Sequence, residues 1–217
     1  EVLPRLRRLS GSPAVLLSRV LRTWGLGESQ VAERLDDLFT ATTPSVAFLI
    51  SDMEVQVRIS AKAPDRETAR DLIEPVERQV RERLGGAVFG SDSDRVEDLI
   101  LGGLSARAWT VATVEHATLG QVGARLATTL GEAFRGSIIP PSGEAEPSPP
   151  PADVILHVGE IGTDPAERRT TRAVDMDVRT PVRSIERTFR FGGDDERLRS
   201  FAVIAGLHMI RQAIEPS

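Results

Sequence analysis

Thr110–Gly120, TVATVEHATLG, constrains the fold of this chain more than any other stretch. Val111, Ala112 and Val114 make a short apolar run of the kind that lies buried in a sheet. Glu115 to Thr118 form a polar corner, and Gln121–Leu130 (QVGARLATTL) reads as a helix. A strand that turns directly into a helix belongs to an α/β fold. It presents side chains and backbone N–H groups at the carboxyl end of the sheet, where such folds bind ligands. Chemistry is therefore expected here, yet the corner holds no serine, no cysteine and no glycine-rich cradle.

The rest of the chain supplies strands and helices in alternation. Residues 1–13 are basic and punctuated by proline, and read as a lead-in or linker. Ala14–Thr23 is apolar and open to either a strand or a helix; Gly25 and Gly27 end it. Val31, Leu35 and Leu38 have helical spacing within Glu28–Phe39. Ser45–Ser51 and Glu54–Ala61 read as a strand pair around Asp52 and Met53, the second with strict alternation of Val55, Val57 and Ile59. Asp65 is placed to cap a helix running to Leu84, with Pro75 inside it and Gly85-Gly86 stopping it. These elements make a β-α-β-β-α module over residues 14–91.

A second domain over 92–217 begins with a helix from Arg95 to Ala106, for which Asp94 and Glu97 have capping-box spacing. After the diagnostic corner come a strand at Phe134–Ile139 and another at Asp153–Val158. Ala173–Thr180 and Arg183–Phe191 alternate as paired strands. A last helix runs from Asp194 to Ile214, with Leu198, Phe201, Ala202, Ala205 and Met209 inside and His208 at its surface. Residues 140–151 (PPSGEAEPSPPP) are half proline and carry no bulky apolar side chain, so a flexible or polyproline-like loop is expected. The class is α/β, in an α+β two-domain layout whose second part is a layered sandwich.

With 217 residues, 40% hydrophobic and 27% charged, the chain can bury one large core or two small ones. The absence of cysteine excludes disulfides, thiolate metal sites and thiol catalysis. A net charge of −5 weighs against a broad nucleic-acid surface, as does 4% aromatic content for single-strand binding by the first module. No apolar run is long enough to span a bilayer and no secretory leader is visible, so no membrane partner and a cytoplasmic location are expected. The chain starts without methionine and reads as a piece of a longer protein.

TVATVEHATLG resembles TVATAESCTGG, the motif of the CinA C-terminal domain family, whose active members deamidate nicotinamide mononucleotide. LRTWGLGES, EVQVRISAKA and VFGSDS are similar to the middle module that precedes that domain. The resemblance covers nearly all of residues 14–139 and returns more weakly from 152 onward. It implies a C-terminal domain built as an α/β/α sandwich of the CinA type, a homo-oligomer, a pyridine nucleotide as partner, and a molybdopterin-binding-like domain preceding these two in the whole protein.

The resemblance also implies a damaged site. Glu115, Thr118 and Gly120 match the motif, but the nucleophilic serine is His116, the cysteine Ala117 and the first glycine Leu119. Gly136 and Ser137 occupy the two glycines of a further motif, whose tyrosine position is Pro141 and whose lysine position is Glu146. The chain contains no tyrosine. A later arginine position is Asp195, with Arg197 and Arg199 nearby but off the motif. A largely helical family segment after the lysine is replaced by the proline-rich stretch.

Glu115, His116, Thr118, Gly120, Gly136 and Ser137 thus remain as ligand-pocket candidates, with no residue assigned to catalysis. Glu115 beside a helix start also fits plain N-terminal capping. His157, in an apolar strand, reads as a satisfied core residue. No histidine pair has metal-ligand spacing and no phosphate loop is present, so neither metal nor cofactor is expected. The reading is a non-catalytic binding or oligomerisation scaffold; the alternative is a residual or altered amidohydrolase acting on nicotinamide mononucleotide or a related small amide.

Overall fold

The computed structural model describes residues 14–40, 42–51, 53–143, 147–163, 171–192 and 194–215. The chain divides into two compact units, Glu1–Asp94 and Arg95–Ser217.

Unit 1 contains β1 (Val15–Thr23), α1 (Glu28–Leu35), β2 (Ser45–Ser51), β3 (Glu54–Ala63), α2 (Arg66–Leu84) and β4 (Val88–Ser91). The ambiguous first segment is a strand, and β4 adds an element not expected from the pattern. The sheet is antiparallel with order β2-β3-β1-β4. Alternation sends Val55, Val57, Ile59, Ala61 and Ala63 of β3 to one face, where Leu21, Val31, Leu35, Ile73 and Val80 close the core. Asp65 starts α2 by accepting the Thr68 N–H at 2.8 Å, and Gly85 ends it at φ 54°.

Unit 2 contains α3 (Val96–Ser105), β5 (Val111–Glu115), α4 (Gln121–Leu130), β6 (Phe134–Ile138), β7 (Val154–Val158), a two-residue β8 (Gly162–Thr163), β9 (Arg172–Arg179), β10 (Ser184–Phe191) and α5 (Asp195–Ile214). The sheet runs β10-β9-β7-β5-β6, with β8 paired to β9. β5 is parallel to both β6 and β7, while β7-β9 and β9-β10 are antiparallel. The start of β7 is pinned to the start of β5. The Thr110 N–H and hydroxyl donate to Asp153 at 2.8 and 2.9 Å and hold its carboxyl below the usual carboxylate range.

The mixed α/β class expected from sequence is present, with two sheets and five α-helices among the described residues. α4 and α5 pack on the sheet and on each other, and α3 packs on both, so all three helices lie on one side. Among the described residues no helix covers the other face. The expected capping box at α3 fails. Asp94 accepts the Ser91 N–H at 2.8 Å instead, Arg95 is the N-cap, and Glu97 is buried against Arg125.

His208 is fully buried rather than at the surface, because α5 lies between the sheet and α3 and is covered almost all round from Ala202 to Ile214. Arg183, in the β9–β10 turn, closes the far end of α5 by donating to the Ala213 and Glu215 carbonyls at 2.7 and 2.8 Å.

Candidate functional site

The corner of unit 2 is built around one carboxylate. Glu115, the last residue of β5, is fully buried. Its Oε1 accepts the Thr113 hydroxyl at 2.7 Å, the Gly123 N–H at 2.7 Å and the Ser137 hydroxyl at 3.0 Å. Its Oε2 accepts the Thr118 hydroxyl at 2.7 Å and the Val122 N–H at 3.0 Å. The first turn of a helix has N–H groups with no intrahelical partner and a partial positive charge. The chain's own carboxylate, supplied from the preceding strand, fills that position on α4. Gly123 allows the close seating: a β-carbon there would stand 2.6 Å from Ser137 Cβ and 3.1 Å from Glu115 Oε1.

The turn itself is held by backbone. His116 and Ala117 extend the β5–β7 pairing by donating to the Val158 and Gly159 carbonyls at 2.9 and 3.0 Å. Leu119 and Gly120 then take positive φ, 51° and 79°, before α4 begins. The His116 side chain is mostly buried, with Nδ1 3.8 Å from Glu160 Oε1, too far for a hydrogen bond. Glu160 also accepts the Gly143 N–H at 3.2 Å, which ties the proline-rich stretch to the corner. In that stretch Pro140 is buried, Pro149 and Pro150 are half-buried, and Pro150 lies over Gly136.

The remaining sequence candidates scatter. Pro141 is exposed, and Glu146 lies outside the described residues. Asp195 pairs with Arg172 at 2.9 Å. Arg199, one turn further along α5, reaches the corner and donates through Nε to the Ala117 carbonyl at 2.7 Å. Its four-residue spacing from Asp195 is the signal that places it one helical turn on.

Sequence reasoning missed a groove of about 380 Å³ on the sheet face opposite the helices. His157, Asp175, Asp177, Glu186 and Thr188 line it; His157 stands opposite Asp177 in register, and Asp177 opposite Glu186. His157 is half-buried at this groove rather than inside the core. Asp175 is engaged by the Thr188 hydroxyl at 2.5 Å and Asp177 by Arg179 at 3.0 Å. Period-2 alternation in β7, β9 and β10 was the available signal. In unit 1 a groove of about 410 Å³ carries Arg19, Arg66, Arg70, Glu74, Glu77 and Asp92, a balanced set of charges. Among the described residues no group of three His, Cys, Asp or Glu side chains could hold a metal ion, and no helix is long and apolar enough to cross a membrane.

Residues 18–90 match the family described as the damage-inducible protein CinA KH domain. A CinA-like protein of Frankia casuarinae is 33% identical across 99% of this chain. The chain belongs to the CinA-like family. It spans 58% of the Frankia relative and 36% of a putative competence-damage inducible protein of Clostridium acetobutylicum, which is 40% identical over 67% of this chain. A competence or damage-inducible protein from Enterobacter asburiae, of known crystal structure, is 18% identical and aligns along 57% of this chain and 100% of its own, with a TM-score of 0.42.

Proposed function

We propose that this chain is a non-catalytic binding or oligomerisation scaffold whose unit 2 is a catalytically silent domain of the nicotinamide mononucleotide deamidase type. The observation that carries this reading is how the corner spends its hydroxyls. Thr113, Thr118 and Ser137 all donate to Glu115, and the nucleophile position holds His116 instead of a fourth. Amide hydrolysis by the serine–lysine route needs a hydroxyl aimed at substrate and a base beside it. The only lysine of the chain is Lys62, in unit 1, and there is no tyrosine or cysteine. Among the described residues no helix covers the open sheet face, in keeping with the loss of a covering segment, which an active site needs to exclude water. A whole protein with a molybdopterin-binding-like domain, a pyridine nucleotide as ligand and a cytoplasmic location are parts of the same proposal.

Incubation of the purified chain with nicotinamide mononucleotide, read as ammonia released, tests it. The expected result is no release above the buffer rate. Turnover that disappears in His116→Ala refutes the scaffold reading and establishes the amidohydrolase alternative.

A further inference from the structure

The sheet of unit 1 ends on a strand that is unusual for an edge. β2, Ser45–Ser51, reads SVAFLIS, with no charged residue and no proline, and β3 is its one neighbour among the described residues. Free sheet edges ordinarily carry charge, proline or bulges that block pairing with another chain. The far edge strand of unit 2 follows that rule, since β10 carries Glu186, Arg187 and Arg190. β2 does the reverse, leaving Leu49 36% and Ile50 58% exposed.

The strand is also nearly symmetric about Phe48. Turned antiparallel on a copy of itself, Ser45 meets Ser51, Val46 meets Ile50, Ala47 meets Leu49 and Phe48 meets Phe48. This pairing keeps both faces in step. Val46, Phe48 and Ile50 stand opposite the buried set Ile59, Val57 and Val55 of β3, so they occupy the helix face in both copies. Ala47 and Leu49 occupy the open face in both. Cross-strand pairs of apolar and β-branched side chains stabilise a ladder, and an uncharged strand meets no like charge in its copy.

We infer that β2 is a self-association edge and that its occupant is β2 of a second copy of this chain, joining two four-stranded sheets through a two-fold axis at Phe48. An interface of one strand pair is small, so the dimer is transient and concentration-dependent. The inference names the surface through which the proposed scaffold would oligomerise. It is tested without ligand or turnover, so its failure is separate from the failure of that reading.

Sedimentation equilibrium of the whole chain across a concentration series decides it. The wild-type mass is expected to rise from 23.6 kDa toward twice that value. Ala47→Lys with Leu49→Lys sets lysine opposite lysine at both exposed pairs and is expected to hold the mass at 23.6 kDa. Ala47→Glu with Leu49→Lys sets opposite charges at the same pairs and is expected to keep the dimer. If circular dichroism shows the double lysine unfolding unit 1, Ile50→Lys reads the same edge and the same loss. Three results overturn the inference: a wild type that stays monomeric throughout, a dimer that survives the lysines, or a charge-paired variant as monomeric as the double lysine.

Discussion

Glu115→Gln removes a charge while keeping the shape of the side chain, and so tests whether the corner is held by that carboxylate. The two carboxylate oxygens receive five donors, three on Oε1 and two on Oε2. A glutamine keeps one accepting oxygen, best placed where three donors converge. Its NH2 then faces the Thr118 hydroxyl and the Val122 N–H. The hydroxyl can rotate and accept; the backbone N–H cannot. One buried N–H left without an acceptor costs about 1–3 kcal/mol. Loss of a negative charge at the start of α4 adds about 0.3–1 kcal/mol. A neutral side chain is cheaper to bury, which returns part of this. The net loss is about 1–3 kcal/mol, or a fall of about 3–10 °C in the unfolding temperature of unit 2. Calorimetry on the whole chain reads it, and amide exchange at Val122 should quicken in the same variant. An unchanged or raised unit 2 transition refutes the reasoning, because burial of the charge would then cost more than its donors return.

Two further outcomes follow from the same unit. Burial pushes the Glu97 carboxyl up, but its own backbone N–H, the Arg125 guanidinium and the Arg95 charge outweigh this and hold it below the usual value. Its stabilising effect is therefore present above the unfolded pKa and lost as pH falls through the lower folded one. Arg125→Met should cost about 3 kcal/mol at pH 7 and reverse that slope, so that stability rises from pH 7 to pH 5; urea unfolding with a parallel pH profile in both proteins argues against it. Leu119 sits at φ 51° and is 52% exposed, a left-handed conformation that costs a non-glycine residue about 1–2 kcal/mol. Leu119→Gly returns about 0.5–1 kcal/mol after the added freedom of the unfolded chain, and a lowered melting temperature contradicts this.

Local signals carried most of the fold. The alternation of β3, the Asp65 cap and the strand–corner–helix of residues 110–130 each depend on near neighbours, and periodicity reads those well. The misreadings depend on what packs from a distance. His208 looks like a surface residue on a helix until α3 covers it, and Glu97 looks like a capping residue until Arg125 arrives from α4. That α3, α4 and α5 share one side of the unit 2 sheet is likewise set by packing between helices, which periodicity does not report. At the candidate site, Glu115 was legible as a helix-terminal acid, but its five donors come from β5, the corner, α4 and β6, which only the folded chain brings together.

The corner also separates what folding requires from what chemistry requires. Where TVATVEHATLG agrees with the family motif, the residues hold the turn together. Glu115 gathers the donors, Thr118 supplies one of them, and Gly120 takes φ 79° where a β-carbon would stand 2.7 Å from Ile139 Cδ1. Where the chain departs from the motif, the side chains are not needed for the turn. His116 and Ala117 contribute mainly through backbone N–H groups that any residue offers, and Leu119 occupies a conformation glycine takes at lower cost. A site that loses its function keeps the first set, because each member carries a folding penalty of about 1 kcal/mol or more when replaced. It can drift at the second set, even at some expense such as the strain at Leu119. On the scaffold reading proposed above, the changes within these eleven residues fall where the turn does not depend on the side chain, so the strand, turn and helix of unit 2 are compatible with them.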